Sequence, residues 1–338
     1  MSVPADPGGP GDPRRERRAA AHARTVRQRR LAAAALLIAL VLVVALLAVG
    51  LGGGGDDDGA ADGGARATAA QAPPPKPIEL PTGGRTIFPD HRVVAYYGAP
   101  QSDELGALGI GTPAQAVAKL RRQAKPYERR TRPVLLALEL ISTIATAAPG
   151  ESGLYRSHQS DAVIRRYHRA ARRAKALLVL DVQPGRDDFF SEAVRLRRWL
   201  REPDVGLALD PEWRVGPGQV PAQVIGSVTA REVNATSAYV ARIVKRGKLP
   251  EKLFLIHQFT SDMIQDKARV KKRAGLAVTF NVDGFGSQAN KLSKWDAFTS
   301  ERVRFNDGYK LFYKEDTDLM SPRQVMRMQP RPDLVLYE

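Results

Sequence analysis

From about Phe88 to the C-terminus, eight short apolar runs alternate with amphipathic segments. The predicted strands are Arg92–Gly98, Pro133–Ile141, Ala176–Val182, Val205–Asp210, Lys252–Gln258, Leu276–Asn281, Gly308–Tyr313 and Asp333–Tyr337. The clearest helical patterns lie at 112–125, 161–175, 189–200, 230–246, 261–273 and 288–298, with a short one at 322–328. Thr112-Pro113, Ser160-Asp161 and Thr229 are plausible helix caps. Eight strands alternating with helices over this length predict an α/β fold, a (β/α)8 TIM-type barrel across 88–338. The alternative is a doubly wound open sheet. That fold usually carries a glycine-rich phosphate loop after its first strand. Here the first strand runs into GAPQSDELGALGIG, with neither GxGxxG nor GxxxxGK[ST], so nucleotide binding has no support.

The N-terminal segments predict a different environment. Residues 1–30 hold eight arginines against Asp6, Asp12 and Glu16, with almost no large apolar residues, and are expected to be disordered. Leu31–Leu51 is a run of 21 uncharged residues, enough to cross a hydrocarbon core about 30 Å thick. With arginines just before it, the segment 31–52 is expected to be an uncleaved signal anchor. The tail would then be cytoplasmic and the barrel extracytoplasmic. A cleaved signal peptide is the rival, though its apolar region is usually shorter. Residues 53–87, rich in Gly, Asp and Pro, read as a flexible linker.

The chain has no cysteine, which excludes disulfides, thiolate metal sites and a cysteine nucleophile. Its net charge of +16 admits anionic partners: nucleic acid, lipid or wall polymers. The extracytoplasmic location argues against nucleic acid. The basic runs Arg165–Lys175, Arg242–Lys248 and Lys267–Arg273 read first as solvated helix faces, and second as contacts to anionic lipid or wall polymer. Ser157, Ser191 and Ser261 lack a GxSxG context, so a serine hydrolase is unsupported.

The informative stretch is Val205-Gly206-Leu207-Ala208-Leu209-Asp210-Pro211-Glu212-Trp213. Alternate residues of a strand share a face. One face therefore runs Gly206, Ala208, Asp210, Glu212, small and then acidic. The other strands repeat the pattern: Ala95 and Tyr97; Leu135, Ala137 and Glu139; Val179, Asp181 and Gln183; Ala277, Thr279, Asn281 and Asp283. The opposite faces are bulky and suit the helix layer, while the smaller faces suit the lumen. Tyr97, Glu139, Asp181, Asp210, Glu212, Asn281 and Asp283 are expected to converge at one rim. The fifth strand ends His257-Gln258, and parity does not choose which of the two faces in. Any one of these acids alone fits a salt bridge or a cap, but several on one concave rim point to acid–base or metal chemistry.

Two chemistries fit. In glycoside hydrolysis one carboxylic acid protonates the leaving oxygen and a second carboxylate acts as nucleophile, base or charge stabiliser. Tyr97 and Trp213 suit sugar rings. In metal-assisted hydrolysis, Glu139, Asp181, Asp210 and Asp283 would hold a hard divalent cation, with His257 as ligand or base. Five histidines without HxH or HExxH do not predict zinc. Asp210-Pro211-Glu212 resembles the terminal D-x-E of the chitinase-like and lysozyme-like barrel glycosidases. The resemblance implies Glu212 as acid, Asp210 as its partner and no cofactor. Tyr97, Glu139, Asp181, Gln183, Trp213, His257, Gln258, Asn281 and Asp283 are then the expected substrate-binding residues. The expected function is hydrolysis of a cell-envelope or environmental glycan by a membrane-anchored barrel. The alternatives are a metal-assisted phosphodiester hydrolase and a non-catalytic barrel that binds glycan or wall polymer.

Overall fold

The structure, a computed structural model, describes residues 76–300 and 305–338. The basic tail 1–30, the anchor 31–52 and most of the linker lie outside the described residues. Among the described residues, no helix is long and apolar enough to cross a membrane.

Eight parallel strands close into a barrel. In chain order its staves are β1 (Arg92–Gly98), β2 (Val134–Ala145), β4 (Leu177–Val182), β5 (Val205–Leu209), β7 (Lys252–Gln258), β9 (Leu276–Val282), β10 (Asn306–Leu311) and β11 (Leu334–Tyr337). Each pairs with the next stave, and β1 pairs with both β2 and β11, which closes the sheet. Three short strands lie outside the barrel. β3 (Arg156–His158) runs antiparallel to the end of β2, and β6 (Val228–Thr229) pairs with β8 (Ile264–Gln265).

The outer layer comprises α1 (Pro113–Ala124), α2 (Asp161–Ala174), α3 (Phe189–Arg195), α4 (Arg197–Leu200), α5 (Ala230–Gly247), α6 (Gln288–Thr299) and α7 (Pro322–Val325). Local chemistry sets their starts. Thr112 and Ser321 form capping boxes with Gln115 and Gln324, and Ser160, Asp188, Thr229 and Ser287 each accept an amide of the first turn. Lys175 and Lys248 end α2 and α5 in the left-handed conformation.

Parity sorts the strand residues as expected. Val94, Leu138, Leu178, Leu180, Leu207, Leu209, Val278 and Phe280 pack outward against the helices. Val93, Ala95, Leu135, Ala137, Val179, Ala208, Leu253, Leu255, Ala277 and Leu336 fill the lumen. At about 25 cal/mol per Å2 of apolar surface buried, these two layers supply most of the stability.

Three expectations change. The linker was expected to run to residue 87, yet Leu80 and Ile87 are buried among the lumen residues. Arg85 donates to the carbonyl of Leu249 (2.8 Å) and the Ile87 amide to Glu251 (2.6 Å), so this segment seals the N-terminal end of the barrel. The helix expected at 261–273 does not form. Met263 and Ile264 are buried, Asp266 adopts a left-handed conformation, and only a 3-10 turn, Lys267–Arg269, follows. Asn234 on α5 donates to Arg269 O (2.8 Å) and accepts from the Lys271 amide (2.8 Å), replacing helical hydrogen bonds. The single helix expected at 189–200 breaks at Leu196 into α3 and α4.

Candidate active site at the barrel mouth

The C-terminal ends of the staves bring most of the expected residues together. Tyr97, Glu139, Asp181, Asp210, His257, Asn281 and Asp283 are all buried and share the lumen parity of their strands. Of the pair left open at the end of the fifth stave, His257 faces in. Its Nε2 lies 2.7 Å from Glu139 Oε1, and its Nδ1 3.0 Å from Asp283 Oδ2. Asp181 Oδ1 is 4.0 Å from the same Nε2. The Asn281 amide lies 3.2 Å from Nδ1. On the far wall, Gln183 donates to the Tyr97 hydroxyl (3.0 Å), which donates to Asp181 Oδ2 (3.2 Å).

Glu212 and Trp213 lie one step further out. The chain leaves β5 through Asp210 and turns at once into a 3-10 helix, Pro211–Trp213, because Pro211 fixes its first backbone angle. That turn puts Glu212 and Trp213 at the mouth, half-buried, above the fully buried Asp210.

Gln258 is a correction. It is buried on the outward side of β7, where it accepts from Lys267 Nζ (2.6 Å) and donates to Thr260 O (3.1 Å). It does not join the other candidates, because His257 takes the inward position and adjacent residues cannot share a face.

Two members are new. Lys310 Nζ reaches Asp283 Oδ2 (3.1 Å) and Glu338 Oε2 (2.7 Å), and stands 3.9 Å above the Tyr97 ring. The strand pattern carries a signal for both. Gly308 and Lys310 share a face of β10, and Leu334, Leu336 and Glu338 share one on the last strand and its end. The last two strands thus repeat the rule of lumen filler followed by a polar residue. β10 starts two residues earlier than expected, at Asn306, and pairs Gly308 with Leu334 and Lys310 with Leu336.

The lumen therefore holds five carboxyl groups, Glu139, Asp181, Asp210, Asp283 and Glu338, facing two cations, His257 and Lys310. This imbalance sorts their proton affinities. Burial pushes Asp181 well above the ordinary carboxyl range, and the neighbouring Asp210 charge adds to it. Burial drives Asp210 up to about 7; His257 opposes this, while the charges of Glu212 and Asp283 reinforce it. Asp283 goes the other way. Burial would raise it, but the Lys310 charge and the His257 hydrogen bond hold it below the usual range. Burial alone would lower Lys310 and His257, yet both are held cationic, Lys310 by Asp283 and Glu338, His257 by Glu139 and Asp283. Glu139 Oε2 and Asp181 Oδ1 are buried without a hydrogen-bond partner.

Chemically, the mouth offers a protonated acid, an ionised carboxylate and aromatic surface within one concave rim, at the end of the barrel where such folds carry their chemistry. No protein-family model matches the chain, and a search of the curated proteins finds no match either.

Proposed function

We propose that the barrel is an extracytoplasmic, membrane-anchored glycoside hydrolase that acts on a cell-envelope or environmental glycan. The observation that carries this reading is the step from Asp210 to Glu212. One carboxyl is buried at the strand end, and the next stands half-exposed at the mouth beside Trp213. Glu212 would protonate the leaving oxygen from the open side. Asp210 beneath it, whose proton affinity burial raises, would hold its own proton and so accommodate the negative charge that Glu212 gains on giving up its proton. Asp283 stays a carboxylate through its pairing with Lys310 and His257, and supplies negative charge toward a developing oxocarbenium ion. Burial raises the proton affinity of Asp210 beneath Glu212 while Asp283 stays ionised, which separates the carboxyls of this rim as acid–base chemistry requires. Trp213, half-buried at the mouth, offers its face to a sugar ring.

The test is release of new reducing ends when the full-length chain is incubated with purified cell-wall glycans and a panel of soluble polysaccharides. Parent activity that Glu212→Gln abolishes supports the reading. Cleavage of a phosphodiester-linked wall polymer without new reducing ends, or binding of glycan with no turnover, refutes it.

A further inference from the structure

Below the acid pair, three side chains from three separate staves point at one another. Glu139 comes from β2, Asp181 from β4 and His257 from β7. One ligand atom from each lies within 4.8 Å of the other two, and all three residues are fully buried. Glu139 Oε2 and Asp181 Oδ1 have no hydrogen-bond partner. An unsatisfied buried polar atom costs about 1–3 kcal/mol, and more when charged. Two such oxygens beside one imidazole are an arrangement that a divalent cation completes, displacing to solvent the proton that His257 Nε2 shares with Glu139 Oε1. The outer contacts fit as well. His257 turns its Nδ1 to Asp283, which Lys310 holds in place. A carboxylate on the far nitrogen is the usual device for fixing the ring of a metal-binding histidine.

We propose that Glu139, Asp181 and His257 form a binding site for one divalent first-row metal ion. Two carboxylate oxygens and one imidazole nitrogen favour Zn2+ or Mn2+ over Mg2+ or Ca2+, which prefer all-oxygen shells. On the divalent series Zn2+ binds more tightly than Mn2+. The site has no signature in sequence spacing, since its ligands sit 42 and 76 residues apart. It does not depend on the glycosidase reading, because the acid pair Asp210 and Glu212 is not among its ligands. A second cluster, His168, Glu202 and Asp204, is of a different kind. Arg172 already pairs with both of its carboxylates, at 2.6 and 3.0 Å.

The test is metal uptake, read without any substrate. Full-length chain is stripped with chelator, titrated with Zn2+ or Mn2+ by calorimetry, and its bound metal counted by elemental analysis after gel filtration. One ion per chain is expected, with Zn2+ the tighter. The isosteric Glu139→Gln and Asp181→Asn variants should lose it, as should His257→Gln. Asp283→Asn keeps all three ligands, so it should retain one ion at 10–100-fold weaker affinity. His168→Gln should bind as the parent does. Tryptophan fluorescence shows whether each variant is folded. If the ligand variants do not fold, the parent and Asp283→Asn still decide the matter. A parent that takes up no metal overturns the proposal. So does full uptake by folded Glu139→Gln and His257→Gln, or loss of uptake in His168→Gln.

Discussion

Glu192 on α3 is buried, yet two arginines and His158 meet on it. Its carboxylate accepts from His158 Nε2 (2.9 Å), Arg195 Nε (2.9 Å) and the Thr143 hydroxyl (2.7 Å), and forms an ion pair with Arg156, whose Nε lies 2.9 Å away and donates to Asp187. These contacts tie the end of β2 and the β3 hairpin to the helix layer beside the mouth. Burial would raise the proton affinity of Glu192. The His158 hydrogen bond, the Arg195 charge and the Thr143 hydrogen bond outweigh it, and the group falls from 4.5 to about 2. At about 1.4 kcal/mol per tenfold change in proton affinity, the ionised form contributes about 3 kcal/mol. The sign follows from linkage. The folded state holds the proton more weakly than the unfolded chain, so this stability is complete above about pH 4.5. It is lost as pH falls toward 2. Replacing Glu192 with Gln should therefore cost about 3 kcal/mol at pH 7, the share its ionised form contributes. The assay is guanidinium unfolding of the full chain followed by tryptophan fluorescence. All three tryptophans, Trp199, Trp213 and Trp295, lie in the barrel, so the signal reports that domain. The difference between parent and variant should shrink from about 3 kcal/mol at pH 7 toward zero near pH 2, with the denaturant slope unchanged. Asp204, which is depressed over the same range, cancels in that difference. A difference that stays constant across pH, or stays below about 1 kcal/mol at pH 7, refutes the reasoning.

Three further outcomes are expected. Glu212→Gln should lower kcat for glycan release by about 10^2–10^4-fold while leaving glycan binding, measured by sedimentation with insoluble substrate, nearly intact. Gly206 faces the lumen, and an added Cβ would lie 2.6 Å from the Leu253 carbonyl oxygen; Gly206→Ala should cost about 1–3 kcal/mol of overpacking, read as a lower Tm in calorimetry. Lys252 is buried at the opposite end of the barrel, bonded to the carbonyls of Glu202 and Val205, and burial lowers it from 10.5 to about 7 against the pull of Asp204 and Glu202. The folded state binds this proton more weakly, so denaturant unfolding should show stability rising between about pH 7 and pH 10.5, and Lys252→Met should abolish its share of that rise.

The barrel was legible in the sequence because parity is a local property. Gly206-Leu207-Ala208-Leu209 states which residues face the helices and which face the lumen without reference to any other strand, and eight such statements leave little choice of fold. Placing Asp210, Asp181, Glu139 and Asp283 at one rim followed from the same rule. What failed also failed for local reasons. Residues 261–273 have helical periodicity, but the hydrogen bonds that dissolve that helix come from Asn234, 35 and 37 residues before the groups it bonds.

Tertiary structure alone decided the rest. The sequence could not say whether His257 or Gln258 turns inward, since that depends on the register of β7 against β9, where His257 pairs with Asn281. Nor could it bring Lys310 to Asp283 or His257 to Glu139, which lie 27 and 118 residues apart. Parity gives each side chain a direction, but closing the sheet sets the distances, and hydrogen bonds and proton affinities depend on distance. The sequence determined the acids Glu139, Asp181, Asp210 and Asp283 of the lumen; the closed barrel added His257, Lys310 and Glu338, and determined which groups pair and which carboxyls keep their protons.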